Sequence, residues 1–172
     1  FASALEDLEA QGMTGLVIDL RDNPGGNLDT VCDILDLILP EGTIVSTKDK
    51  NGEGETYTSD EEHKLEIPLS VLTNGNSASA SEIFAGAVQD YGVGTLVGTT
   101  TFGKGIVQQI FPLTDGTSIK LTISEYFTPK GRNIHGTGID PDVEVEYEYN
   151  EEDPAADNQL EKAIEIVKGN GM

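Results

Sequence analysis

Apolar residues in this chain recur with two spacings, and the switches between them predict its elements. Gly15-Leu16-Val17-Ile18-Asp19-Leu20 is a near-continuous apolar run of strand length, the pattern of a strand covered on both faces in a parallel sheet. The turn Arg21-Asp22-Asn23-Pro24-Gly25-Gly26-Asn27 follows, and from about Leu28 to Leu39 the apolar positions return at helical spacing. Strand, glycine-rich turn and helix make half of a βαβ unit. A short helix is expected over Phe1 to Gln11, stopped at Gly12. Thr43 to Thr47 predicts a strand entering a hairpin at Asn51-Gly52, and the acidic stretch Ser59 to Glu66 predicts a surface loop.

The second half repeats the theme. Pro68 to Leu72 reads as a core strand, and Ile83, Phe84, Ala87 and Val88 mark one face of a helix running to Tyr91. Between them lies the turn Asn74-Gly75-Asn76-Ser77-Ala78-Ser79-Ala80-Ser81. Thr95 to Gly98 is short and strand-like, and Ile106 to Leu113 forms a hairpin through Asp115-Gly116 with Thr117 to Tyr126. In that second arm Ser118, Lys120 and Thr122 alternate with Ile119, Leu121 and Ile123, which predicts a half-exposed strand. Val143 to Tyr147 alternates as a final edge strand. Residues 151–157 read as a polar linker, and Asn158 to Lys168 as a helix with Leu160, Ala163, Ile164 and Val167 inward. The expected organisation is a core over residues 1–150, with residues 151–172 as linker and a helix packing on it.

Composition narrows the function classes. A chain of 172 residues suits one domain. Its formal charge of −21 repels phosphate backbones and anionic lipid, which argues against nucleic-acid partners. Cys32 is the only cysteine and sits in an apolar helical pattern, so a thiolate metal site and a disulfide framework are excluded. No stretch has the length of a membrane span or the form of a signal peptide. With Phe rather than Met first, the chain reads as an excised piece.

Candidate chemistry centres on the serine turn. At a strand-to-helix turn the first helical N–H groups lack intrahelical partners and carry partial positive charge, so a hydroxyl there can sit beside oxyanion donors. Ser79-Ala80-Ser81-Glu82 also spells a capping box, in which the serine only accepts a backbone hydrogen bond. A Ser-His-Asp triad needs an imidazole, and the two histidines lie in the acidic stretch at His63 and in the glycine-flanked loop at His135. Gly98 to Lys104 matches the first positions of a phosphate loop, but Gly105 stands where the magnesium-binding hydroxyl belongs and Ile106-Val107 continues as strand. The remaining base is Lys104, flanked by Gly103 and Gly105, which let backbone pack closely around it. Gln108 is four residues on, able to orient the amine. A solvated lysine beside two glycines is the other reading of the same stretch.

Together these segments resemble the carboxyl-terminal processing peptidases, also called tail-specific proteases. The resemblance rests on Val17 to Gly26, Ser77 to Ile83, Gln89-Asp90-Tyr91, Thr101 to Gly105 with Gln108, and Thr128-Pro129-Gly131-Arg132 through Gly138-Ile139-Pro141-Asp142, in that order along nearly the whole chain. It implies an α/β fold of the crotonase/ClpP-like type, a superhelix of ββα units. It also implies a Ser79 nucleophile, a Lys104 general base, a Gln108 that orients it, and an oxyanion hole from the backbone N–H groups of Gly26 and Ala80. No metal or organic cofactor is expected. The resemblance implies protein or peptide substrates, a PDZ domain of a longer parent missing here, homodimerisation, and a location outside the cytoplasm in a parent tethered to a membrane. An acyl-thioester enzyme of the crotonase type and a catalytically silent binding module are the alternative functions.

Overall fold

The computed structural model describes residues 1–60, 62 and 64–169. His63, expected to be solvated, lies outside the described residues. In chain order the elements are α1 (Ala2–Ala10), β1 (Leu16–Asp19), α2 (Leu28–Asp36), β2 (Gly42–Lys48), β3 (Thr56–Ser59), β4 (Leu69–Thr73), α3 (Ala80–Tyr91), β5 (Thr95–Gly98), β6 (Ile106–Pro112), β7 (Ser118–Phe127), β8 (Val143–Glu144) and α4 (Asn158–Gly169). They form a parallel sheet ordered β1-β4-β5-β8 and an antiparallel sheet ordered β3-β2-β7-β6.

Strand β4 is the centre of the parallel sheet, paired to β1 and β5 on its two sides. All five of its residues are buried, which is why it reads as one apolar run. Side chains alternate across a strand, and here Leu69 and Val71 join the cluster containing Ile83, Phe84, Ala87 and Val88 of α3. Leu72 and Val97 face the other way, onto Leu160, Ala163 and Ile166 of α4. Both faces of the sheet are therefore covered, each fully buried aliphatic side chain contributing about 1.5–3 kcal/mol. Ala163 is buried in α4 as expected, and so is Gln159, a polar residue whose amide donates to the Val145 carbonyl at 2.7 Å.

Helix α4 is further fastened by charge. Arg21, at the end of β1, donates to Asp157 and Gln159 at 3.0 Å each, and its Nη2 lies 2.7 Å from Asp157 Oδ2. The guanidinium holds the Asp157 carboxyl below the usual carboxylate range. At the other end of α3, Asp90 is buried, accepts from the Lys130 N–H at 2.8 Å and pairs with Arg132. Gln89 donates to the Asp140 carbonyl at 2.9 Å, and Tyr91 to the Thr43 carbonyl at 3.0 Å. The Gln-Asp-Tyr segment thus works as a clasp for the loops around it.

Two expectations need adjustment. The strand expected over Val143 to Tyr147 is regular only at Val143 and Glu144, where it pairs parallel to β5 at the sheet edge. Strand β7 is not half-exposed: Ile119, Leu121 and Ile123 are 44, 50 and 40 % accessible and the alternating polar residues are exposed as well. The β6–β7 hairpin projects as a two-stranded ribbon, so alternation there marks two open faces rather than a buried one. Among the described residues no helix is long and apolar enough to cross a membrane.

Candidate active site

Strand β4 delivers three serines to the turn before α3, and their hydroxyls have different fates. Ser77, fully buried, donates to the Leu20 carbonyl at 2.7 Å and accepts from the Asn74 N–H at 3.0 Å. Ser81, also buried, donates to the Asn23 carbonyl at 3.0 Å. Both are consumed in fastening the turn to the segment after β1. The Ser79 hydroxyl makes no capping hydrogen bond; it lines an open cavity of about 330 Å³.

The backbone at Ser79 explains that exposure. With φ 58° and ψ −115° it is one of two non-glycine residues at positive φ among the described residues, a conformation costing about 1–3 kcal/mol that persists only where neighbours over-determine it. They do. The Ser79 carbonyl accepts from the Glu82 and Ile83 amides at 2.8 and 3.0 Å and from the Tyr126 hydroxyl at 3.1 Å, while its N–H donates to Glu82 Oε2 at 2.9 Å. The Glu82 amide faces the Ser79 side chain in the manner of a capping box, yet its hydrogen bond goes to the carbonyl. A sharp strand-to-helix turn held this way projects a serine oxygen into the open.

Glu82 does far more than cap. It is 0 % exposed, and besides the Ser79 amide its carboxylate accepts from the Lys104 amide at 2.8 Å, the Gly103 amide at 2.7 Å and the Thr101 hydroxyl at 2.6 Å. Thr101 Oγ1 in turn accepts from the Ile139 amide at 2.8 Å. A buried charge is tolerated when every lone pair is engaged, and this one also lies in the positive first turn of α3. One carboxylate therefore ties the serine turn to the lysine loop.

Glycines allow the loops to close on each other. A Cβ on Gly25, at φ +93°, would lie 2.5 Å from the Ala78 carbonyl oxygen and 2.7 Å from the Ala80 nitrogen, so the segment after β1 packs on the serine turn backbone to backbone. Gly26 beside it has open space and lines the cavity with Ala80. The N–H groups of Gly26 and Ala80 have no backbone partner among the described residues. Gly25→Ala is expected to push the two turns apart and to destabilise the fold by about 1–3 kcal/mol; a melting curve identical to that of wild type contradicts this packing.

Gly103 and Gly105 serve a similar purpose, though not as room around the Lys104 side chain. A Cβ on Gly105 would meet the His135 nitrogen at 2.7 Å, and the Gly103 carbonyl accepts from the Gly136 amide at 2.8 Å: the loop is pressed onto residues 135–138. Half-buried Lys104 enters the same cavity as Ser79. Among the described residues its Nζ and the Ser79 Oγ carry no hydrogen bond, to each other or elsewhere, and their polar contacts are through the backbone. Gln108 follows an irregularity in the β6–β7 register after Val107 and also lines the cavity; such bulges re-aim side chains. Tyr126 and Lys120, which sequence reasoning did not single out, complete the lining. Tyr126 is buried, and that burial with nearby Glu82 pushes its phenol far above the ordinary range, leaving it a fixed donor.

His135 is exposed and outside the cavity lining. The near phosphate loop runs straight into β6, with no helix to cradle an anion. Cys32 is buried, and burial pushes its thiol up to about 11. Among the described residues no group of three or more His, Cys, Asp or Glu side chains is placed to hold a metal ion.

A family model described as peptidase family S41 matches residues 1–145. The chain belongs to that family. It is 46 % identical over 171 residues to a carboxyl-terminal-processing protease of Synechocystis, covering 98 % of this chain and 40 % of that one. It is 44 % identical over 146 residues to the carboxy-terminal processing protease CtpB of Bacillus subtilis, covering 84 % and 30 %. The solved structure of a photosystem II D1 C-terminal processing protease superposes with a TM-score of 0.78 at 36 % identity, over 84 % of this chain and 38 % of that one. The fold is thus the crotonase/ClpP-like α/β type expected, and the chain spans 30–40 % of the length of these curated relatives.

For a member of the S41 family, the neighbourhood of Gly26 and Ala80 holds one further feature. A second cavity, of about 220 Å³, adjoins the first and shares Gly26, Asn27 and Ala80 with it. Its walls are apolar, from Ile18, Leu20, Val31, Ile34 and Phe84. The alternating and helical patterns mark these residues as core. That they also wall a cavity beside the two free amides is visible only once β1, α2 and α3 are packed.

Proposed function

We propose that this chain is the catalytic portion of a serine endopeptidase that cleaves peptide bonds in unfolded or C-terminal segments of proteins, using a Ser79/Lys104 dyad. Ser79 Oγ attacks the scissile carbonyl carbon as Lys104 Nζ takes its proton. The tetrahedral oxyanion is received by the N–H groups of Gly26 and Ala80. Collapse breaks the C–N bond, Lys104 returns the proton to the leaving amine, and water hydrolyses the acyl-enzyme by the reverse steps. Gln108 orients the Lys104 amine, and the apolar cavity takes the side chain on the acyl side of the scissile bond. By family resemblance, we place the working enzyme outside the cytoplasm, in a longer chain carrying a PDZ domain.

One observation carries the reading: of the three serines in the turn, only Ser79 keeps an uncommitted hydroxyl, in a cavity it shares with Lys104, Gln108 and two unpartnered amides. A fluorophosphonate probe followed by peptide mapping tests it. Labelling is expected at Ser79 alone, slowed by about 10²-fold or more in Lys104→Met, the range of a lost general base. Labelling at another serine, or labelling that ignores Lys104, overturns the dyad.

A further inference from the structure

The lining of the catalytic cavity departs from the acidic composition of the chain. The protein has 31 acidic and 10 basic Lys and Arg residues, yet the lining of the cavity that holds Ser79 includes two lysines, Lys104 and Lys120, and no carboxylate. Glu82, in the first turn of α3, is fully buried and committed to neighbouring amides and a hydroxyl, and Glu125, opposite Ile106 on β7, is outside the lining. Lys104 is assigned above as the base. Lys120 has no role in that chemistry, and it forms none of the ion pairs found among the described residues.

Its position is fixed by the hairpin. Lys120 sits opposite Ile110, and Gln108 opposite Thr122. Side chains alternate along a strand, so Lys120 and Thr122 share one face of the ribbon with Gln108, and Lys120 and Gln108 both line the cavity. Two residues of strand separate Lys120 from Thr122, about 7 Å along the ribbon. The hairpin thus carries polar groups outward in order from Lys104, through Gln108, to Lys120.

That order has a direction in the reaction. Lys104 hands a proton to the leaving amine, so the leaving segment lies on the lysine side, while the apolar cavity beside Gly26 and Ala80 takes the acyl side. Because Ser79 and Lys120 line one cavity of about 330 Å³, an extended segment leaving the scissile bond at about 3.3 Å per residue needs only a few residues to come alongside Lys120. From this geometry, and resting on the serine-peptidase reading, we infer that Lys120 is a specificity-determining residue that binds a carboxylate carried by the leaving segment, a few residues past the scissile bond. The surrounding negative field makes an isolated cationic cavity selective, since acidic groups find a favourable position there and at few other places on the chain. The carboxylate comes either from the chain terminus itself or from an Asp or Glu side chain.

Three peptides separate the sources: a free acid ending three residues past the scissile bond, the same peptide amidated, and the amidated peptide with its second residue past that bond replaced by Glu. Cleavage by the full chain is measured as kcat and KM for each, and affinity for each is measured by fluorescence anisotropy with the Ser79→Ala protein. Wild type is expected to prefer a carboxylate-bearing peptide over the neutral one by about tenfold, the worth of one charge-assisted hydrogen bond. The preference appears mainly in KM and fades at high salt. It is lost in Lys120→Met, kept in Lys120→Arg and reversed in Lys120→Glu. Preference for the free acid alone assigns the terminus, and equal preference for the Glu peptide assigns any carboxylate.

Equal affinity for all three peptides in wild type, or a preference that survives Lys120→Met, overturns the inference. The two readings fail separately. Lys120-dependent affinity without cleavage defeats the peptidase reading and leaves the subsite, whereas Ser79-dependent cleavage indifferent to Lys120 does the reverse.

Discussion

Ser79→Ala is expected, on the proposed serine-peptidase mechanism, to reduce peptide hydrolysis by at least about 10³-fold, because that mechanism then lacks its nucleophile and oxyanion donors and binding alone preserve only residual catalysis. The neighbouring variant gives the contrast. Ser77→Ala removes a hydroxyl that satisfies the Leu20 carbonyl and the Asn74 amide, so it is expected to cost about 1–3 kcal/mol of stability while Ser79 remains reactive toward a phosphonate. Unfolding curves and active-site titration of both variants check this. Full turnover in Ser79→Ala, or loss of labelling in a folded Ser77→Ala, reverses the assignment of the two serines.

Glu82→Gln is expected to damage stability and turnover together. Each carboxylate oxygen of Glu82 accepts two hydrogen bonds, Oε2 from the Ser79 and Lys104 amides and Oε1 from the Gly103 amide and the Thr101 hydroxyl. A glutamine can accept on one side only, and its NH₂ then faces donors. Breaking a buried charge-assisted cluster in this way costs about 3–5 kcal/mol, which for a domain of this size lowers Tm by roughly 6–20 °C at about 2–4 °C per kcal/mol. In the part that stays folded, the serine turn and the lysine loop lose their shared anchor, and a displacement of about 1 Å corresponds to about 10²-fold in kcat. Calorimetry and kcat measured well below the variant's Tm separate the two effects. A variant that melts with wild type and turns over normally shows that the carboxylate does not hold the site together.

The difference between these two residues shows where sequence reading stops. The serine turn was accessible because its setting is local, with an apolar strand, a turn of small residues and a helical period all contiguous, while the choice of Ser79 among its three serines came from the family resemblance. Glu82 was accessible only as the fourth letter of a capping box. Its bonds to Thr101, Gly103 and Lys104 join positions 19 to 22 residues away, and no local pattern announces that closure. Tyr126 is a similar case, its hydroxyl crossing 47 residues to the Ser79 carbonyl.

The fold was legible where burial on both faces leaves a continuous apolar run, as in β1 and β4, and where Asn51-Gly52 and Asp115-Gly116 mark hairpins. It was misread in β7, because Ile119, Leu121 and Ile123 follow the same alternation whether one face is covered or neither is. The glycines were correctly singled out, but the reason for Gly103 and Gly105 is the close approach of residues 135–138, a contact between distant segments.

The projecting hairpin also sets how the protein behaves in bulk solution. Phe111, Ile119, Leu121 and Ile123 leave an oily strip on a molecule of charge −21, so molecules are kept apart by mutual repulsion rather than by a fully wetted exterior. Repulsion reaches about 10 Å at 0.1 M salt and about 3 Å at 1 M. Concentrated stocks should therefore stay clear in dilute buffer and turn cloudy as electrolyte is added.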